Sequence, residues 1–341
     1  VEPADFDTDP WALNCENGTV DLRTGDLRTH DCREYHTKLA GAPYEPGAEC
    51  PTWERAVNEI MGGRPELVSY LQRWAGYCLT GSTREQVMSV WHGAGCNGKS
   101  TIVKVLQTAM GDYAGVAPEG LLSARRNNRH PAELAKLKGL RLVVSTESGR
   151  RLYESRVKWI TGGDTLTARG MRENFYDFEP THKLVLASNY RPKVEGQDLG
   201  IWRRLQLLPF SVTFDESQAD KQLSNKLLAE LPGILAWCVR GCLAWYRHGL
   251  DPPQVVLAAT QEYRTSEDMV VQFVAECCDV GPYEERSSDI NQAWQRWCHD
   301  QGVKPPSAAT LGRRLTDLGH TARKSHGRMI REGLRISTGS E

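Results

Sequence analysis

The run Gly93-Ala94-Gly95-Cys96-Asn97-Gly98-Lys99-Ser100 has the spacing Gly-x-x-x-x-Gly-Lys-Ser, and the chemistry open to it is phosphate binding. Glycines let successive backbone N–H groups turn inward around an anion at a helix N-terminus. Lys99 can neutralise β- and γ-phosphate charge, and the Ser100 hydroxyl can ligate Mg²⁺. The flanks suit this reading, because Val87–Trp91 reads as a strand and Thr101–Met110 as a helix. The candidate nucleotide-binding set is Gly93, Ala94, Gly95, Cys96, Asn97, Gly98, Lys99, Ser100 and Thr101, with ATP and Mg²⁺ as the implied ligands.

Two further apolar runs end in residues that such a loop would need. Arg141–Ser145 delivers Thr146-Glu147, and a carboxylate there can hold Mg²⁺ together with Ser100 and polarise an attacking water. Glu147 is the candidate for both roles. Lys183–Ala187 leads to Ser188-Asn189, whose side-chain amide suits the γ-phosphate or that water.

These residues have to be positioned by an α/β sheet domain, since Val87–Trp91, Arg141–Ser145, Lys183–Ala187 and Leu205–Leu208 alternate with helical stretches. Before it, Asn17-Gly18 and Thr24-Gly25-Asp26 turns separate short alternating runs and predict a small β-meander. Leu67, Tyr70, Leu71, Trp74 and Cys78 then mark one helix face. After Phe210 the chain reads as helical, with Cys238 and Cys242 on an apolar face, where core packing is favoured over a zinc site. Beyond the Asp251-Pro252-Pro253 linker come helices over Ile290–Asp300 and Ala308–Leu318, and then a basic alternating segment, His320–Ile336. The expected division is 1–82, 83–250 and 251–341.

Composition bounds the class. With 341 residues, 40% hydrophobic and 25% charged, the chain has the make-up of a globular protein of two to three domains, and no apolar run reaches membrane-spanning length. Ten cysteines without a Cys-x-x-Cys pair, and no charged-then-apolar leader after Val1, predict reduced thiols and a cytoplasmic location. Charge is segregated: residues 1–60 hold 13 acids and 5 bases, residues 121–208 hold 17 bases and 9 acids, and residues 303–341 hold 8 bases and 3 acids. Two basic regions of this kind suit a polyanionic partner.

Taken in order, the phosphate loop, Glu147, Thr161-Gly162-Gly163-Asp164, Arg169, Phe178-x-Pro180, Asn189 and Gly200-Ile201-Trp202-Arg203-Arg204 through Pro209-Phe210 resemble superfamily 3 helicases. Specifically, they resemble the phage, plasmid and poxvirus primase-helicase group. The Asn17-Gly18 and Pro51-x-Trp53 region looks like that group's N-terminal helicase-associated domain. The resemblance implies an AAA+-like P-loop NTPase core with an N-terminal helical/β accessory domain and a C-terminal winged-helix domain. It makes Lys99 and Ser100 the ATP–Mg²⁺ ligands, Glu147 the Walker B acid, Asn189 the sensor and Arg204, in preference to Arg203, the finger that reaches the neighbouring subunit's γ-phosphate. The sequence departs from many members at Thr146, where they carry a second acid.

The same resemblance places a DNA-facing β-hairpin at Thr165–Phe178, with Arg169 and Arg172 toward phosphates. It also reads Arg313, Arg314 and Lys324 as duplex or fork contacts, plain packing being the alternative for that segment. The implied activity is an ATP-driven, ring-forming DNA helicase, a hexamer of phage or plasmid origin acting on single-stranded or forked DNA in the bacterial cytoplasm. A primase would have to lie in a preceding portion. Two readings from other classes are a P-loop ATPase switch or clamp-loader-like remodeller, and a nucleotide-independent replication initiator. Intact Lys99, Ser100 and Glu147 argue against the last.

Overall fold

The computed structural model describes residues 5–123, 132–146, 151–170, 174–215, 220 and 222–337. The chain divides into two compact units, Val1–Gln261 and Glu262–Glu341.

The first unit begins with the meander that the turn signals predict: β1 (Ala12–Cys15), β2 (Gly18–Asp21) and β3 (Asp26–Arg28) pair antiparallel in sequence order. Two helices follow, α1 (Pro51–Ile60) and α2 (Pro65–Leu79), each with proline in its first turn, where a missing N–H costs nothing. In α2 the predicted face, Leu67, Tyr70, Leu71, Trp74 and Cys78, is buried.

The chain then runs through β4 (Met88–His92), α3 (Lys99–Met110), β5 (Ala114–Val116), α4 (Ala132–Ala135), β6 (Leu142–Ser145) and α5 (Glu154–Thr161). A two-stranded hairpin, β7 (Leu166–Arg169) with β8 (Phe175–Phe178), precedes β9 (Lys183–Ser188), α6 (Leu199–Trp202) and β10 (Leu205–Pro209). Five of these strands form one sheet in the order β10-β4-β9-β6-β5, with every pairing parallel. Near-continuous apolar strands such as Leu142-Val143-Val144 are what a parallel sheet covered on both faces demands. The parallel α/β core expected from the sequence is therefore present.

Two helices, α7 (Leu223–Ala229) and α8 (Leu231–His248), then pack back on the core, with Cys238 and Cys242 buried in α8. Burial pushes the Cys242 thiol up to about 12, as befits a core thiol. Among the described residues no group of His, Cys, Asp or Glu could hold a metal ion, and no single helix is long and apolar enough to cross a membrane.

Two buried cations fasten the meander and α2 to the lower edge of this sheet. Arg141, just before β6, donates to Leu79 O at 2.6 Å and Ala12 O at 2.8 Å, with its guanidinium 4.4 Å from the Tyr113 ring centre. Lys183, at the start of β9, donates to the carbonyls of Thr80 and Thr181, and burial lowers its pKa to about 7. Charged donors satisfy carbonyls at the ends of α2 and β1 that the fold hides from water.

The second unit takes the end of α9 (Gln254–Ser266 overall), from Glu262 on, and then α10 (Met269–Cys277), β11 (Cys278–Arg286), α11 (Ser287–Asp300), α12 (Ala308–Asp317), β12 (Ala322–Ser325) and β13 (Arg328–Ile336). Its sheet is antiparallel, in the order β11-β13-β12. Phe273, Trp294, Trp297, Leu311, Leu315 and Leu334 fill its core. Ser307 caps α12 through Thr310 N, as its position before the helix predicts.

Candidate functional site

The loop from Gly93 to Ser100 joins the C-terminal end of β4 to the N-terminus of α3, the place where a parallel sheet leaves a crevice and a helix offers free N–H groups. Its backbone geometry needs glycine at Gly93 and Gly98, and also at Gly95, where φ is +110°. A Cβ at Gly93 would collide with Phe210 O, and Gly98 has φ +80° with Ile60 packed against it. Cys96, at φ +45°, is exposed, whereas Asn97 is buried. The loop is braced from outside, because Phe210 N donates to His92 O and Phe214 N donates to Cys96 O at 2.8 Å.

Lys99 is buried at the centre of this arrangement. Its Nζ donates to Gly93 O at 2.8 Å, Asn97 Oδ1 at 2.9 Å and Asn189 Oδ1 at 3.1 Å. Desolvation pulls its pKa below that of free lysine. The parallel register explains the meeting with Asn189: His92 pairs with Ser188, so the residues just beyond β4 and β9 emerge side by side. The structure thus brings together Lys99 and Asn189, which lie 90 residues apart in the chain. A glycine-lined cradle, helix N–H groups and a buried ammonium fit a polyphosphate.

Of the other predicted residues, Glu147 and Arg172 lie outside the described residues. Thr146 is exposed after β6. Arg204 is buried and donates through Nη1 to Gly200 O at 2.7 Å. Burial, and next the Arg203 charge, lower its pKa. Arg203, one position earlier, is exposed. The structure thus turns the Arg204 side chain inward and leaves Arg203 at the surface. Arg169 ends β7, its guanidinium 5.4 Å from the ring centre of Phe175, which is 60% exposed.

In the second unit, Arg313 and Lys324 are exposed. Arg314 has a different job: its Nε and Nη2 hold Asp268 Oδ2 at 2.6 and 2.5 Å, and Asp268, 2% exposed, also caps α10 through Val270 N and Val271 N. Arg314 is thus held in an internal ion pair, in line with the packing alternative for this segment. Arg314→Ala should destabilise this unit by about 2–3 kcal/mol, below a fully buried pair because Asp268 keeps its backbone donors. Arg313→Ala should leave stability within about 0.5 kcal/mol. Urea unfolding of both variants checks this, and equal midpoints would refute it.

Sequence reasoning missed the bracing segment Phe210–Phe214 and the part α1 plays beside the loop. The only signal was Pro51-x-Trp53, which marks a helix start but not its neighbour.

Comparison with known proteins finds matches to parts of the chain. Residues 1–62 match a family model described as D5 N terminal like. Residues 91–204 match a family of unknown function, DUF5906. L207/L206 of Acanthamoeba polyphaga mimivirus, named a candidate helicase, is 28% identical over 297 residues, covering 80% of this chain and 31% of that protein. C962R of African swine fever virus (isolate Tick/Malawi/Lil 20-1/1983), named a candidate primase, is 28% identical over 346 residues, covering 91% and 35%. Protein 022R of Frog virus 3 (isolate Goorha), named a candidate helicase, is 27% identical over 252 residues, covering 67% and 26%. The chain spans about a third of the length of the first two relatives. Among solved structures, an apo form of the NrS-1 C terminal region has TM-score 0.58 at 12% identity, covering 86% of this chain and 77% of that one, a likeness of fold. The named relatives come from large DNA viruses, and none is a phage or plasmid protein. In its amino-terminal D5-type segment and in these relatives, the chain is similar to candidate helicases and primases of large DNA viruses.

Proposed function

We propose that the chain is the helicase portion of a DNA-replication protein, hydrolysing ATP between the subunits of a homo-oligomeric ring, expected to be a hexamer, to move single-stranded or forked DNA. The observation that carries this reading is the Lys99 ammonium, seated in the loop and bonded to Asn97 and Asn189. An entering triphosphate would take over those donor protons. The loop N–H groups and Lys99 would hold the β- and γ-phosphates, and the freed Asn189 amide would orient the γ-phosphate or a water. Glu147 would polarise that water. Ser100 and Glu147 would hold Mg²⁺, which supplies charge neutralisation of the phosphates when bound. Arg203 would reach the neighbouring subunit's site.

For DNA, the hairpin offers Arg169 beside exposed Phe175, a cation and a stacking face of the kind that binds single strands without sequence preference. The second unit, with α12 exposed at Arg313 and the β12–β13 hairpin exposed at Lys324, has the outline of a winged helix for a duplex or fork. Unwinding of a forked duplex with ATP, together with DNA-stimulated ATPase, tests the whole reading. An ATPase that DNA does not stimulate and that unwinds nothing would point instead to a protein remodeller. Replacing Arg169 and Arg172 with Ala should leave basal ATPase intact, abolish DNA stimulation and flatten the log–log salt dependence of single-strand binding by about 1.4, at roughly 0.7 per contact. An unchanged slope with normal unwinding would remove the hairpin from the DNA path.

A further inference from the structure

Arg203 closes α6 at the end of a stretch that the parallel sheet does not hold. Between β9 and α6 the described chain, 189–198, forms only a single bridge, that of Lys193 with Arg151. The helix that follows is one turn of four residues, too short to hold itself in place. Where Arg203 lies is therefore decided by what this stretch is tied to.

It is tied to α5 and the residues just before it. Leu152 N donates to Lys193 O at 2.9 Å, and Arg151 forms an ion pair with Glu195. Gly196 N donates to Glu154 Oε1 at 2.7 Å, and Lys158 Nζ donates to the two Asp198 carboxylate oxygens at 2.9 and 2.8 Å. The spacings suit one another, because four helical residues rise roughly 6 Å while two residues of chain span up to roughly 7 Å. Glu154 and Lys158, on one face of α5, thus meet Gly196 and Asp198 in step. Glycine lets the first contact close, since a Cβ at Gly196 would lie 2.2 Å from Glu154 Oε2. On its other side Gly196 O accepts from Trp202 Nε1 at 2.8 Å, and Trp202 is buried one residue before Arg203. The hold on the stretch is carried into α6.

Lys158 and Asp198 leave 33% and 55% of their side chains exposed, and ion pairs this open add little to stability. What the pair fixes is direction. We infer that Lys158 and Glu154 are positioning residues for Arg203, holding α6 so that its arginine projects toward the neighbouring subunit's phosphates. The inference rests on the proposed reading of Arg203 as the group shared between subunits. A competing role lies close by, because the same stretch begins at Asn189, whose side chain accepts from Lys99 in the subunit's own loop. The two roles damage different halves of an interface, and that separates them.

The test is ATP hydrolysis by the whole chain carrying Lys158→Met, which keeps the side chain's length and removes its charge. Turnover should fall about ten- to a hundred-fold, the scale on which ångström displacements act, while KM for ATP and the unfolding midpoint stay unchanged. Asp198→Ala should do the same, and the two together should be no worse than Asp198→Ala alone, since both break one contact. Lys158→Arg and Glu154→Gln keep their bonds and should keep turnover, whereas Glu154→Ala should lose it. Mixed assemblies then locate the damage. Lys158→Met subunits combined equally with Lys99→Ala subunits should regain about a quarter of wild-type hydrolysis, because an intact loop then faces a well-held arginine. Combined with Arg203→Ala subunits they should gain nothing, both defects lying on the same half of the interface. The reverse pattern, rescue by Arg203→Ala and not by Lys99→Ala, would overturn the inference and assign the stretch to Asn189. So would wild-type turnover in Lys158→Met beside an inactive Arg203→Ala. Failure of Lys99→Ala and Arg203→Ala to complement each other would overturn the shared site, and this inference with it.

Discussion

Lys99→Ala should lower ATP turnover by at least about 10²–10³, the loss measured when one preorganised donor is removed from a developing charge, and should abolish unwinding with it. The substitution removes the buried ammonium at the centre of the loop, and water would be a poor substitute inside a site lined by buried Asn97 and braced by Phe210 and Phe214. It also leaves Asn97 Oδ1 and Asn189 Oδ1 without the donor they share in the free protein. The nucleotide-free loop should therefore be looser in the variant, seen as faster amide exchange over 93–100. Glu147→Gln should behave differently, binding ATP yet hydrolysing it poorly, because the loop and its lysine remain. Steady-state hydrolysis beside equilibrium binding separates the two, and normal turnover in Lys99→Ala would remove the loop from catalysis.

Much of this arrangement could be read from residue order alone, and the failures have identifiable causes. The strands β4, β6, β9 and β10 announce themselves as near-continuous apolar runs, interrupted only by Ser89 in β4 and Gln206 in β10, because both faces of a parallel sheet are covered. The edge strand β5, three residues including Gly115 and with Val116 exposed, carries no such pattern. Nor does β11, whose Gly281-Pro282 interrupts it where the register shifts between Val280 and Glu284. Asn189 was legible as a strand end, but its bond to Lys99 depends on which strand lies beside β4.

Arg141 and Lys183 looked like ordinary strand-leading charges. Their role is set by carbonyls 62 to 129 residues away, which no local spacing reveals. Arg313 and Arg314 are one type at adjacent positions, and only helical phase tells them apart. Arg314 is three residues beyond buried Leu311, next to buried Leu315, and so turns inward to Asp268, while Arg313 turns to solvent. The same phase argument holds at α6, where Arg204 N–H bonds Ile201 O and the Arg204 side chain follows buried Ile201 inward.

That difference at α6 can be tested by mixing subunits. Arg203→Ala should leave the unfolding midpoint unchanged, since the side chain is exposed, and should cut hydrolysis by about 10³ or more if it stabilises transition-state charge in a neighbouring site. Arg204→Ala should instead lower stability by about 1–2 kcal/mol through loss of the charged bond to Gly200 O, with a smaller effect on hydrolysis once folded. Neither Lys99→Ala nor Arg203→Ala subunits should hydrolyse ATP alone. Combined in equal amounts, they would form interfaces pairing an intact loop from one with an intact arginine from the other, about a quarter of all interfaces under random mixing in a closed ring. Hydrolysis should return in that proportion, and dilution below the assembly concentration should remove it. Rescue by Lys99→Ala of Arg204→Ala, but not of Arg203→Ala, would return the finger to Arg204. No rescue of either, with mixed assemblies verified by mass, would mean that the loop completes its chemistry within one subunit.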